Sequence, residues 1–204
     1  MRLRKPFRTA VVVAALGTGA GAGLGFGLGQ AGGDDPAPLW RPPVTNAATP
    51  ATEAQKTAFS VLATSSRSFE DDADRTLLER YATDAEIGVD VDGARVVGAT
   101  GDGPIWLVPV NGGLCLALEE TAATAIGSAC EPSGDVVARG TTIGNGTHIY
   151  GVAPDGVDAV SVTPSGGSTT TVTVAEGGVY TLPSQDATVG VEGANGLTEF
   201  DVSG

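Results

Sequence analysis

Hydrophobic and polar positions change their period along this chain, and each change predicts a different element. Arg2, Arg4, Lys5 and Arg8 come first, Thr9 to Gly33 carries no charge, and Asp34-Asp35 closes the run. Asp34 to Ala48 is rich in Pro and polar residues and reads as a semi-extended spacer. Thr49-Pro50 has the form of a helix start, Thr capping and Pro at the first helical position. Ala54, Ala58, Val61 and Leu62 then fall on one face, with Phe59 beside them, and the helix is expected to stop near Thr64-Ser65-Ser66. A second helix is expected over Asp72 to Ala82. Its apolar side is Leu77, Leu78 and Tyr81, and Asp71, Asp72 and Asp74 favour its start. Both are too short to stand alone and must pack on something.

From Ile87 the period becomes two, with Val89 and Val91 alternating with Asp90 and Asp92. Strands are predicted at Ala94 to Ala99, Ile105 to Val108 and Leu114 to Leu118, the last two split by the turn Asn111-Gly112-Gly113. Ala122 to Ala125 reads as a helical turn or loop leading to Cys130. Val136 to Thr142 and Thr147 to Val152 flank Gly144-Asn145-Gly146 as a hairpin, and the remaining strands follow at Val157 to Val162, Thr170 to Val174, Val179 to Leu182, Thr188 to Val191 and Leu197 to Val202. Eight to ten short strands at this spacing predict a mainly β fold, an antiparallel β-sandwich or open barrel with a short N-terminal helical pair, preceded by one transmembrane or signal helix. The expected organisation is a basic cytoplasmic tail over 1–8, a transmembrane or signal segment over 9–33, a Pro-rich linker over 34–48, a helical segment over 49–84 and an extracytoplasmic β domain over 85–204.

An uncharged span of this length is enough to cross a bilayer as a helix. Lys and Arg stay on the cytoplasmic side, so the order of charges puts the C-terminal domain outside. Two fates stay open. Gly17, Gly21, Gly25 and Gly29 form the small-xxx-small spacing that lets membrane helices approach, whereas Gly29-Gln30-Ala31 offers the small residues that a signal peptidase reads. The expected location is therefore the cell membrane, single-pass with the domain outside, with secretion after cleavage as the alternative. Trp40, beside Arg41, reads either as an interfacial anchor or as an exposed residue of the tether.

Charge narrows the partners. All 24 acidic residues but only 7 of the 11 basic ones follow Gly33, a net of −17 for that part. Such a surface repels phosphate backbones, which argues against a nucleic-acid partner. Thirty-one glycines and 5% aromatic residues fit a turn-rich β domain. The two cysteines, Cys115 and Cys130, read as a disulfide in an exported chain. The other reading is a metal or catalytic thiol, but two Cys and the single His148 do not complete a structural zinc site without carboxylates.

Candidate chemistry is sparse. His148 is the one histidine, sits in an alternating strand, and has no G-x-S-x-G elbow to supply a serine. Asp90-Val91-Asp92-Gly93 opens like a calcium loop, yet Gly101 stands where the twelfth-position Glu belongs. Asn145-Gly146-Thr147 matches a glycosylation acceptor and a turn equally. Trp106 reads as core or as a ligand-stacking side chain. No catalytic residue, metal site or cofactor follows. The candidate ligand contacts are Trp106, Tyr150 and Asp155.

Ala58-Phe59-Ser60-Val61-Leu62, Ile105-Trp106-Leu107-Val108-Pro109, Gly113-Leu114-Cys115-Leu116, Cys130, Tyr150 to Val157 and Gly178-Val179-Tyr180 occur in an order that resembles a group of uncharacterised, exported or membrane-anchored actinobacterial proteins. The likeness covers about Ala58 to Leu182. Val110-Asn111 replaces the Pro-Gly turn commoner in that group, and Ala63 to Arg67 replaces a basic, Pro-containing run. The resemblance implies export, a Cys115–Cys130 bridge and a β domain, and supplies no activity. The expected function is a non-catalytic extracytoplasmic interaction or structural module tethered to the cell envelope, with an envelope protein or wall component as partner, the membrane engaged through 9–33 and the oligomeric state open. The alternatives are an envelope hydrolase using clustered Asp and Glu, and a membrane regulator acting through helix pairing.

Overall fold

The computed structural model describes residues 40–43, 47–64, 72–84, 87–101, 103–120, 125–193 and 196–203. The expected membrane or signal segment lies outside them. Among the described residues no helix is long and apolar enough to cross a membrane. Trp40–Gly204 forms one compact unit.

Among the described residues the elements run α1 (Glu53–Ala58), a 3₁₀ helix (Ser60–Ala63) and α2 (Asp72–Asp84), followed by β1 (Arg95–Ala99), β2 (Pro104–Val110), β3 (Gly113–Glu120) and β4 (Ala125–Pro132). Then come α3 (Ser133–Arg139), β5 (Thr141–Gly144), β6 (His148–Val152), β7 (Ala159–Pro164), β8 (Thr170–Thr173), β9 (Val179–Pro183), β10 (Ala187–Gly193) and β11 (Gly196–Val202). Among the described residues the strands form three antiparallel sheets, ordered β1-β2-β3-β4, β5-β6-β9 and β11-β10-β7-β8.

The alternation of side chains explains how these sheets stack. Ile105 and Leu107 of β2, with Leu114, Leu116 and Leu118 of β3, face a core shared with Phe59, Leu62, Val136, Tyr150 and Val152. Trp106, Val108, Cys115 and Ala117 point the other way, against Leu77 and Leu78 of α2. The first sheet is thus covered on both faces, which is why Ile105 to Val110 is apolar at every position. Within the three-stranded sheet Tyr150 and Val152 join the first core. Ile149, Tyr180 and Leu182 turn to a second core with Val160, Val162, Val189 and Val191 of the third sheet. The architecture is mainly β, in layers, consistent with a β-sandwich.

Three local expectations are corrected. The first helix starts at Glu53, not after Thr49, because Thr52 and Gln55 form a reciprocal capping box. Val136 to Thr142 is a strand only at its end, where Thr141 and Thr142 open β5. Its first half is α3, ended by Gly140 at φ +80°, where a Cβ would lie 1.8 Å from the Val152 carbonyl oxygen. Ala125 belongs to β4 rather than to a helical turn, paired to β3 over its whole length.

Candidate functional site

Two open grooves lie on this frame. The larger, about 440 Å³, runs between the N-terminal helical segment and the Asp90–Arg95 turn, with Lys56, Leu62, Asp90, Asp92 and Arg95 in its walls. Its shape is held by its own charged groups. The Asp90 carboxylate accepts from the Gly93 amide at 3.0 Å, closing the turn. Asp92 accepts from Arg75 of α2 at 2.7 Å, and this bond and charge hold the Arg75 guanidinium above its ordinary value. Arg95 donates to the carbonyls of Asp92 and Ala94, both at 2.7 Å, and through Nε to that of Thr64. One guanidinium therefore ties the end of the 3₁₀ helix to the turn. The Asp90–Gly93 segment, which opens like a calcium loop in sequence, is a turn closed by the Asp90 carboxylate on the Gly93 amide. Among the described residues no three His, Cys, Asp or Glu side chains gather to hold a metal ion.

The second groove, about 380 Å³, lies between Pro154–Asp158 and Val174–Gly178. Asp155 stands in its wall, and its amide donates to the Ala58 carbonyl while its carboxylate accepts from the Ser60 amide, both at 2.7 Å. An acid far along the sequence thus caps the 3₁₀ helix and docks the helical segment on the β domain. Asp155 is exposed, so a ligand can reach it, but its near oxygen is already engaged.

The other two candidate contacts sit elsewhere. Trp106 is 0% exposed beneath α2, so ligand stacking on it would require α2 to leave. Its Nε1 has no hydrogen-bond partner. Tyr150 is 9% exposed, with the ring of His148 at 6.0 Å. The structure does not bring Trp106, Tyr150 and Asp155 into one site. Cys115 and Cys130, directly opposed in β3 and β4, form a disulfide on the α2 side of the first sheet. Beside it, burial pushes the Tyr81 hydroxyl up, against a 2.6 Å hydrogen bond with Ser128 that lowers it.

Three residues that matter were not singled out in the sequence, or were read differently. Gln55, 2% exposed, donates to the Gly113 carbonyl at 3.0 Å and to Ser133 at 3.1 Å while accepting from the Thr52 amide at 2.7 Å. The Thr52-x-x-Gln55 spacing was the available signal. Arg139 pairs with Glu131 at 3.0 Å and lies 4.5 Å over the Phe200 ring, joining β4 to β11, and nothing local in the sequence marks it. Burial, against Arg139 and with Asp135 adding to it, pushes the Glu131 carboxyl up. Trp40 is half-buried on the β2–β3 turn, where a Cβ at Gly113 would come within 2.7 Å of its ring. It is part of the domain rather than an exposed tether residue.

No family model, no curated protein and no solved structure matches the chain.

Proposed function

We propose that this chain is an extracytoplasmic interaction module held at the cell envelope through residues 9–33, and that its larger groove is the surface that meets an envelope partner. The observation that carries the reading is the engagement of the groove's charged groups. Asp90 and Arg95 are committed to backbone and Asp92 to Arg75 of α2, which suits a wall of fixed shape better than a reacting centre, where a group must be held ready for a proton or a bond. The placement outside the cytoplasm draws on the charge order of the first 35 residues and on the Cys115–Cys130 bridge, since disulfides persist in oxidising compartments. The likeness of the Trp106, Cys115 and Asp155 segments to exported actinobacterial proteins points the same way.

The test is binding of the full chain to fractionated envelope material. Saturable binding is expected, and Ala63→Trp, which adds bulk at an exposed position in the groove wall, should weaken it at least tenfold without changing the melting temperature. Absence of saturable binding to every fraction, together with hydrolytic turnover of an envelope substrate, would overturn the reading in favour of an enzyme.

A further inference from the structure

The third sheet ends, at β8, in a long uncharged stretch. From Ala159 to Ala175 not one residue is charged, in a chain with a formal net charge of −13. Of the terminal strands of the two four-stranded sheets, β1 carries Arg95, β4 carries Glu131 and β11 carries Glu199 and Asp201, whereas β8 carries none. Charge on an edge strand is the usual defence against pairing with another chain, and β8 lacks it.

The geometry of β8 fixes which groups are offered. Val174 N donates to Asp158 O at 2.9 Å, so this position is a hydrogen-bonded pair of the antiparallel ladder. With the register Val160↔Val172 and Val162↔Thr170, the alternation turns the backbone N–H and C=O of Val172 and Thr170 toward β7 and those of Thr171 and Thr173 toward the open edge. Among the described residues no strand pairs that edge. The side chains of Thr171 and Thr173 are exposed, and Val172 packs against the core on the opposite face.

We propose that β8 pairs with β8 of a second copy, antiparallel about a two-fold axis at Val172. Thr171 then faces Thr173 of the other copy and Thr173 faces its Thr171, each pair exchanging two backbone hydrogen bonds, and the two four-stranded sheets become one of eight strands. Self-pairing is the occupant the charge pattern selects. Two copies of a strongly acidic chain repel at β11, where Glu199 and Asp201 would meet their own kind, and have no like charges to oppose at β8. The contact is small and the dimer correspondingly weak, and tethering both copies to one membrane raises their effective concentration. This inference does not rest on the groove reading above.

Sedimentation of the full chain in mild detergent, at high chain concentration, tests it with two double variants. Thr171→Glu with Thr173→Glu puts carboxylates directly opposite at both pairs and should raise the dimer Kd about tenfold or more. Thr171→Lys with Thr173→Glu carries as many charges but places Lys opposite Glu, and should keep the dimer. Both positions are exposed, and unchanged circular dichroism checks the fold. A monomeric wild-type chain, or a dimer that survives the Glu/Glu variant, would overturn the proposal. The second result would move the contact elsewhere, residues 9–33 with their small-xxx-small spacing included. Loss of the dimer in both variants alike would refute the register.

Discussion

Deleting one buried oxygen should make this domain more stable. Tyr180 in β9 is 2% exposed, and its hydroxyl is sealed in without a hydrogen-bond partner. Its ring lies across Gly151, the residue opposite it in β6, so closely that a Cβ there would sit 2.1 Å from Tyr180 Cζ. The ring fills the place a side chain would otherwise take, and the hydroxyl is carried in with it. Burial pushes this phenol far above its ordinary value, with Arg139 opposing. A buried, unsatisfied polar group costs about 1–3 kcal/mol. Tyr180→Phe removes that cost and leaves a hole too small for water, worth about 0.3 kcal/mol at ~24 cal/mol per Å³. The net expectation is a gain of about 1 kcal/mol, a rise in Tm of about 2–4 °C for a chain of this size. Urea unfolding at neutral pH, followed by tryptophan fluorescence and circular dichroism together, measures it. Gly151→Ala is the control in the opposite direction and should cost several kcal/mol, on the order of an overpacked core. A loss of 1 kcal/mol or more in Tyr180→Phe would refute the reasoning, because it would mean the hydroxyl has a partner.

Other expectations follow from the same contacts. Replacing Cys115 and Cys130 together by Ala should lower stability by about 3 kcal/mol, from the entropy of a 15-residue loop, read as a Tm fall under non-reducing calorimetry. Gln55→Ala should cost about 1–3 kcal/mol by removing its buried hydrogen bond to the Gly113 carbonyl, measured by urea midpoint. Glu131 sets a pH signature. Its folded value lies above the ordinary 4.5, so the folded state binds the proton more tightly than the unfolded state. Its contribution to stability therefore rises as pH falls through the folded value and levels off below about 4.5. The stability of wild type minus that of Glu131→Gln should accordingly increase toward acid over that window, and a difference that decreases would contradict the assignment.

The fold class was legible because the alternation in Val157–Val202 and the turn residues between its runs are local signals. Layering was not. Ile149 and Tyr150 are equally apolar neighbours, and alternation says only that they face opposite ways. That each faces a separate core depends on the sheet that arrives from elsewhere in the chain. β4 has no local strand signal because Ala125 to Pro132 is mostly Ala, Gly, Ser and Pro, with one each of Ile, Cys and Glu. It is a strand because β3 offers a partner and Cys130 finds Cys115 in register. Val136 to Thr142 misled in the reverse sense, since two adjacent valines read as strand until Gly140 is seen to close a short helix. Of the groove, the Asp90–Gly93 turn was visible in sequence. Its meeting with Lys56 and Ala63 was not, because that contact is set by Asp155 and Arg95 holding the helical segment in place.

The most direct test of the interaction-module account is in-cell photo-crosslinking from position 56 in the groove wall, in the full chain, followed by mass spectrometry. The account expects one envelope protein or wall fragment captured reproducibly, with capture lost in Ala63→Trp. Capture of cytoplasmic proteins alone, or capture unaffected by filling the groove, would contradict it.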